Sequence, residues 1–245
     1  MRQLRFYIPY FLDIDQKYDV PENTARHMVR VLRLKDGDEV MLFNGDDCEY
    51  RGRLTGTTKK SVKVFVFQKT LLSRESTLNT HLIQALSKGD KMETTIQKVV
   101  ELGVNVISPV RSERSNVNLS GTRLEKKMQH WQGVVESACE QTGRNRLPEL
   151  RQLSSFTSTL NSYKDMVGLK LILSPRATSA LMEIDERPEN VVILIGPEGG
   201  LSESEMRYAQ DCGFVSVKVG PRVLRTETAG PAVLSMVQMR WGDLG

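Results

Sequence analysis

The run Val191-Val192-Ile193-Leu194-Ile195 narrows the fold of this chain more than any other stretch. Five apolar residues in a row, four of them β-branched, predict a strand buried on both faces, as in a parallel sheet covered by helices. The run stops at Gly196-Pro197-Glu198-Gly199-Gly200, a turn whose bare backbone can approach a ligand closely. Ser202 and Glu205 stand at capping-box spacing and predict a helix that reaches about Cys212, where Gly213 stops it. Phe214 to Val219 alternates as a strand. A second loop follows, Gly220-Pro221-Arg222-Val223-Leu224-Arg225-Thr226-Glu227-Thr228. It leads into a helix that carries Ala229, Ala232, Val233, Met236 and Met239 on one stripe. Two glycine–proline loops thus leave the carboxyl ends of two strands, the place where open α/β sheets hold ligands.

From Leu78 onward strands and helices alternate, which predicts a mostly parallel α/β sheet. Residues 1–72 differ. Short strands separated by Gly37-Asp38 and Asn44-Gly45, with one helix over Glu22–Leu32, predict a small β-barrel. Arg30, Arg33, Arg51 and Arg53 make that domain either a basic platform or a solvated surface. The polar connector Leu71–Thr77 sets a boundary between domains 1–72 and 73–245. A net charge of +4 from 34 basic and 30 acidic residues permits a nucleic-acid partner without requiring one. Cys48, Cys139 and Cys212 form no C-x-x-C pair and are expected to be buried free thiols of a cytoplasmic protein. The first residues lack a signal-peptide core, and no apolar run nears the ~18 residues of a membrane span. The glycine patterns of dinucleotide-binding and P-loop proteins do not occur. His27, His81 and His130 have no metal-ligand spacing, so no metal is expected.

The two loops together closely resemble the RsmE family, SPOUT-class enzymes that methylate N3 of a uridine in bacterial 16S ribosomal RNA. Lys88–Glu93, Glu113-Arg114-Ser115, Ala138-Cys139-Glu140-Gln141, Gly143-Arg144-Asn145-Arg146 and Arg30-Val31-Leu32-Arg33 also match that family's pattern. Ser174 and Thr142 depart from it. The resemblance implies a PUA-like RNA-binding domain over 1–72 and a SPOUT methyltransferase domain with a deep trefoil knot over 73–245. It implies S-adenosylmethionine as cofactor, held by Leu173, Ser174 and Pro175, by Ile195, Gly196, Pro197, Glu198, Gly199 and Gly200, and by Val219, Gly220, Val223, Leu224, Arg225, Thr226 and Ala229. It further implies a homodimer that acts on 16S rRNA or the 30S subunit.

Methylating an imide nitrogen develops negative charge on O2 and O4, which a guanidinium would stabilise. Arg225 is the first choice for that role, with Arg222 or Arg176 as substitutes, and Glu198 or Glu227 would orient it or offset the sulfonium. Glu227 could equally be a carboxylate complementing a helix N-terminus. Candidate RNA contacts are Arg30, Arg33, Arg114, Arg144, Arg146, Arg176 and Arg222, with Arg111, Lys126 and Lys127 as further phosphate partners. The competing readings are a ribose 2′-O-methyltransferase and a non-catalytic RNA-binding protein.

Overall fold

The computed structural model describes residues 4–58 and 60–245. The chain separates into two compact units. One is Met1–Glu75 together with Glu136–Leu147, and the other is Ser76–Val135 together with Pro148–Gly245. Residues 136–147 therefore belong to the first unit, although the sequence reading gave them to the second domain.

The first unit is built on one five-stranded sheet. Its elements are β1 (Arg5–Tyr7), β2 (Gln16–Asp19), α1 (Glu22–Arg26), β3 (Glu39–Phe43), β4 (Cys48–Leu54) and β5 (Lys63–Leu71). The order is β1-β3-β4-β5-β2, with only β1 and β3 parallel. Alternating residues Val40, Leu42, Tyr50, Leu54, Val64 and Val66 point into its core, joined by Ala25 and Met28 from the helical segment. The β4–β5 register shifts between Arg51 and Gly52. A Cβ at Gly52 would come within 2.3 Å of Val64 Cγ1, so only glycine allows β5 so close.

The helix expected over Glu22–Leu32 does not stay regular. It is α-helical only to Arg26 and widens to a π-turn over His27–Val31, closed by Leu32 N–H donating to the His27 carbonyl. Arg33 then takes φ +55°, a conformation costing a non-glycine residue about 1 kcal/mol.

The segment 136–147 is held by hydrogen bonds to this unit. Tyr7 N–H donates to Glu140, Arg5 donates to Asn145, and Asn145 Nδ2 donates to the Leu72 carbonyl. Arg144 pairs with Glu75, both almost fully buried.

In the second unit, β6 (Asn79–Ala85), α2 (Lys91–Glu101), β7 (Val106–Arg111) and α3 (Gly121–Thr142, whose last residues enter the first unit) come first. Then follow β8 (Glu149–Leu150), β9 (Ser154–Ser155), α4 (Phe156–Asn161), β10 (Leu169–Leu173), β11 (Asn190–Ile195), α5 (Glu203–Asp211), β12 (Val215–Val217) and α6 (Thr226–Trp241). Every strand pairing is parallel, in the order β12-β10-β11-β6-β7-β8 with β9 also on β7. The run that opened the sequence reading is β11, and it lies inside the sheet with Val191–Ile195 all buried. Phe156, Leu160, Ala209 and Phe214 pack against Ile83, Ile172, Val192 and Leu194 on one side. On β6 the opposite parity, Leu82 and Gln84, meets α6, which also packs on α2.

The buried face of α6 coincides with the predicted stripe only at Ala229 and Val233. Ala229, Gly230, Val233, Leu234, Val237 and Gln238 are buried, whereas Met239 is 53% exposed. The helix is apolar over much of its circumference, so its neighbours choose the face. Gly230 lets α6 approach β6: a Cβ there would lie 3.5 Å from Gln84 Oε1 and Leu82 Cδ2. Pro231 sits in the second turn of α6 and cannot give an N–H to the Glu227 carbonyl.

Among the histidines, His81 on β6 is buried, its Nδ1 3.4 Å from the Tyr163 hydroxyl, which in turn meets Ser108 Oγ at 3.0 Å. Burial, with a smaller contribution from the Arg151 charge, pushes its pKa down from 6.5 to about 4. The unfolded chain binds this proton first as pH falls, so stability is lost between pH 6.5 and 4. Chemical denaturation at pH 7.5 and pH 5 should show a loss of about 2 kcal/mol from this group. His81→Leu should lack that component of the loss.

Candidate functional site

The carboxyl ends of β6, β7, β10, β11 and β12 all feed one edge of the parallel sheet. The loop after β11 is folded on itself. Gly200 N–H donates to the Pro197 carbonyl at 2.8 Å, and Gly200 adopts φ +68°. The helix start predicted after it forms as a complete capping box: Glu205 N–H donates to Ser202 Oγ, and Ser202 N–H donates to Glu205 Oε2. Glu205 Oε1 also accepts from Glu113 N–H at 2.8 Å, which ties the loop after β7 to α5.

Arg114 lies in that β7 loop and donates to the Gly199 and Leu201 carbonyls at 3.2 and 3.4 Å. A Cβ at Gly199 would press within 3.2 Å of Arg114 Cβ. Arg114, expected as an RNA contact, is exposed and braces the glycine loop.

The second loop is anchored at its far end. Thr226, the first residue of α6, donates its hydroxyl to the Gly196 carbonyl and accepts from Gln84 Nε2, both at 2.9 Å. The two loops are therefore in direct contact. The peptide groups of Gly220, Arg222, Val223 and Leu224 find no hydrogen-bond partner among the described residues. Ser174 N–H, in the third loop, donates to the Val217 carbonyl, which places Leu173–Pro175 beside the start of the second loop.

The charged groups line up where these loops meet. Lys91 Nζ stands 2.8 Å from Glu198 Oε1 and 3.9 Å from Glu227 Oε2. Glu227 Oε1 is 4.0 Å from Arg225 Nη1. The order is Glu198–Lys91–Glu227–Arg225, with alternating sign. The Arg225 side chain is 83% exposed, so its guanidinium faces outward from the corner. Burial raises the Glu198 pKa, but the hydrogen bond from Lys91, aided by backbone N–H donors, outweighs it and holds the carboxyl below its usual 4.5. Glu198 is thus kept ionised. Glu227 Oε2 and Gln84 Oε1 are buried and have no hydrogen-bond partner among the described residues.

Bare peptide groups, buried acceptors without donors and apolar Leu173, Ile195 and Leu224 suit a ligand with a flat heterocycle and a cationic centre. No group of three or more His, Cys, Asp or Glu among the described residues is placed to hold a metal.

Lys91 and Gln84 were missed by the sequence reading. Lys91 lies inside the Lys88–Glu93 segment, and only the fold shows that it faces two carboxylates. Gln84, a polar residue in an otherwise apolar strand, was a signal that could have been followed.

The remaining predicted residues divide. Arg176 and Arg222 are exposed, without side-chain partners among the described residues. In the first unit Arg30 and Arg33 are exposed at the π-turn. Arg146 is exposed but paired with Asp47 at 2.5 Å. Arg144, expected as a phosphate contact, is 4% exposed and committed to Glu75. A guanidinium that is buried and already paired has no face to offer RNA. All three cysteines are free and buried.

The chain matches the family described as RNA methyltransferase domain over residues 74–238, and the one described as RNA methyltransferase PUA domain over residues 20–67. It is 36% identical to Ribosomal RNA small subunit methyltransferase E of Buchnera aphidicola subsp. Schizaphis graminum, covering 98% of this chain and 97% of that one. A Legionella pneumophila structure in complex with the bound cofactor SAM superposes with a TM-score of 0.96 at 39% identity, each chain covered in full. The Neisseria gonorrhoeae ribosomal RNA small subunit methyltransferase E bound to S-adenosyl methionine gives 0.90 at 38%, again over both whole chains. With its α/β parallel-sheet unit, its PUA-like first unit and these relatives along its entire length, the chain belongs to the ribosomal RNA small subunit methyltransferase E family.

Proposed function

We propose that this protein is a ribosomal RNA methyltransferase that uses S-adenosylmethionine, and that it methylates N3 of a uridine in the 16S rRNA of the small subunit. The observation that carries the reading is the Glu198–Lys91–Glu227–Arg225 charge row, set between two glycine–proline loops that share the Thr226 hydroxyl.

S-adenosylmethionine would supply an activated methyl group. Its adenine suits the bare peptide groups of Gly220–Leu224 and the apolar side chains of Leu173, Ile195 and Leu224. Gly196, Pro197, Gly199 and Gly200 keep that wall free of side-chain bulk. Transfer of that methyl from sulfur to N3 would require the N3 proton to leave. Glu227 Oε2, which accepts no hydrogen bond, is the acceptor we assign to that proton, directly or through water. Arg225 places its guanidinium against the pyrimidine oxygens and stabilises the charge that spreads onto them. Glu198 stays ionised and holds Lys91, so it positions the row and does not itself take the proton.

The same reading includes a homodimer, action on 16S rRNA or the assembled 30S subunit in the cytoplasm, and RNA contacts from Arg30, Arg33, Arg176 and Arg222. No helix among the described residues is long and apolar enough to cross a membrane. It also includes the trefoil knot.

Digestion of modified rRNA to nucleosides tests the reaction: 3-methyluridine is expected, and a ribose-methylated nucleoside would overturn the N3 assignment. Arg225→Ala should lower kcat by about 10²- to 10³-fold. Its melting temperature should not change, because the side chain is exposed. Lys91→Met should raise the Glu198 pKa, since burial would act without its counter-charge. A carboxyl ¹³C titration by NMR reads that shift, and an unmoved titration would show that the pair does not form in solution.

A further inference from the structure

Outside the charge row, the second unit carries a surface groove of about 580 Å³ along the first half of α3, lined by Thr122, Arg123, Lys126, Lys127 and His130. The four basic residues fall at i, i+3, i+4 and i+7, one face of a helix over about 10 Å of its axis. The opposite face of this helix is the packed one, with Met128, Trp131 and Val135 buried. Glu93 is the one carboxylate within ion-pair distance of the row among the described residues, with Oε1 2.7 Å from Lys127 Nζ and Oε2 3.2 Å from His130 Nε2. Its hydrogen bond to Lys127 lowers its pKa, so it is a standing anion. Arg123 and Lys126 are exposed and have no partner among the described residues. Glu125, one residue from Lys126, does not line the groove.

Glu93 connects this groove to the charge row. Lys91 and Glu93 both belong to the first turn of α2, and residues two apart on a helix point to opposite sides. Lys91 reaches Glu198 and Glu227, while Glu93 reaches Lys127 and His130. One helical turn therefore separates the corner that would hold the reacting base from a strip of basic side chains.

We infer that the α3 groove binds backbone phosphates flanking the target nucleotide, with Arg123 and Lys126 as direct contacts and Lys127 and His130 held ready by Glu93. This inference rests on the reading of RNA as substrate. Phosphodiester is the chemistry that fits: an open groove with two unpaired cations and a built-in anion that a phosphate can displace. Arg offers a planar fork to phosphate oxygens, and Lys a mobile point charge.

The test compares wild type with Arg123→Ala/Lys126→Ala, neither residue being part of the cofactor loops or the charge row. Binding of a 16S rRNA fragment is followed by fluorescence anisotropy across a salt series. The double variant should bind about tenfold more weakly, and the slope of log affinity against log salt should shrink by about 1.4, the value for two phosphates on single-stranded RNA. KM for RNA should rise while kcat and the calorimetric affinity for S-adenosylmethionine stay as in wild type. Glu93→Gln should tighten RNA binding by about two- to fivefold, because it releases Lys127 and His130. Wild-type affinity and salt slope in the double variant would overturn the groove while leaving the methyltransferase reading intact. Wild-type protein with no affinity for the fragment or for small subunits would overturn both. A defect seen only on assembled small subunits, with naked rRNA bound normally, would assign the groove to an acidic protein face and overturn the phosphate assignment.

Discussion

The hydroxyl of Thr226 holds the ends of three elements at one point. It donates to Gly196 at the end of β11, accepts from Gln84 at the end of β6, and belongs to the first turn of α6. Each such bond contributes about 1 kcal/mol net, but a buried group left without its partner costs about 1–3 kcal/mol. Thr226 is buried, so the arrangement is closed to water and the larger figure applies. Through this point the two glycine–proline loops, 20 residues apart in sequence, are brought edge to edge.

The charge row depends on that contact. Lys91 stands in the first turn of α2, where the helix dipole disfavours a cation. Two carboxylates, Glu198 and Glu227, offset this, and Glu227 is itself favoured by the first turn of α6. Glu227 therefore complements a helix N-terminus and keeps one buried oxygen without a hydrogen-bond partner beside Lys91. An oxygen without a donor in a finished fold is an open hydrogen-bonding position, and it lies where the proposed chemistry has a proton to move.

The motif residues between α3 and β8 have a different purpose from the one their charge suggested. Arg144 and Glu75 form a buried pair, and Asn145 and Glu140 accept from Arg5 and the Tyr7 backbone. Burying a paired charge adds little stability, but removing one partner is costly, so such a pair fixes one arrangement in preference to others. A basic sequence motif can thus act as an internal clasp in place of a nucleic-acid contact.

Periodicity alone determined most of the parallel sheet. Val191–Ile195, Leu169–Leu173 and the α2 face Met92, Ile96, Val99 and Val100 could not be satisfied except by burial, and hydrophobic free energy is read locally from such runs. The helix start at Ser202 was equally legible, because its capping bonds close within four residues. Other features had no local cause. The buried face of α6 was decided by α2, β6 and β11, since a helix apolar on most sides carries no instruction about which side turns inward. The π-turn at His27–Val31, the bracing role of Arg114, the burial of Arg144 and the facing of Lys91 toward two carboxylates all arise from partners distant in sequence. Side-chain partnerships across such separations are set when elements pack, and only the tertiary structure could decide them.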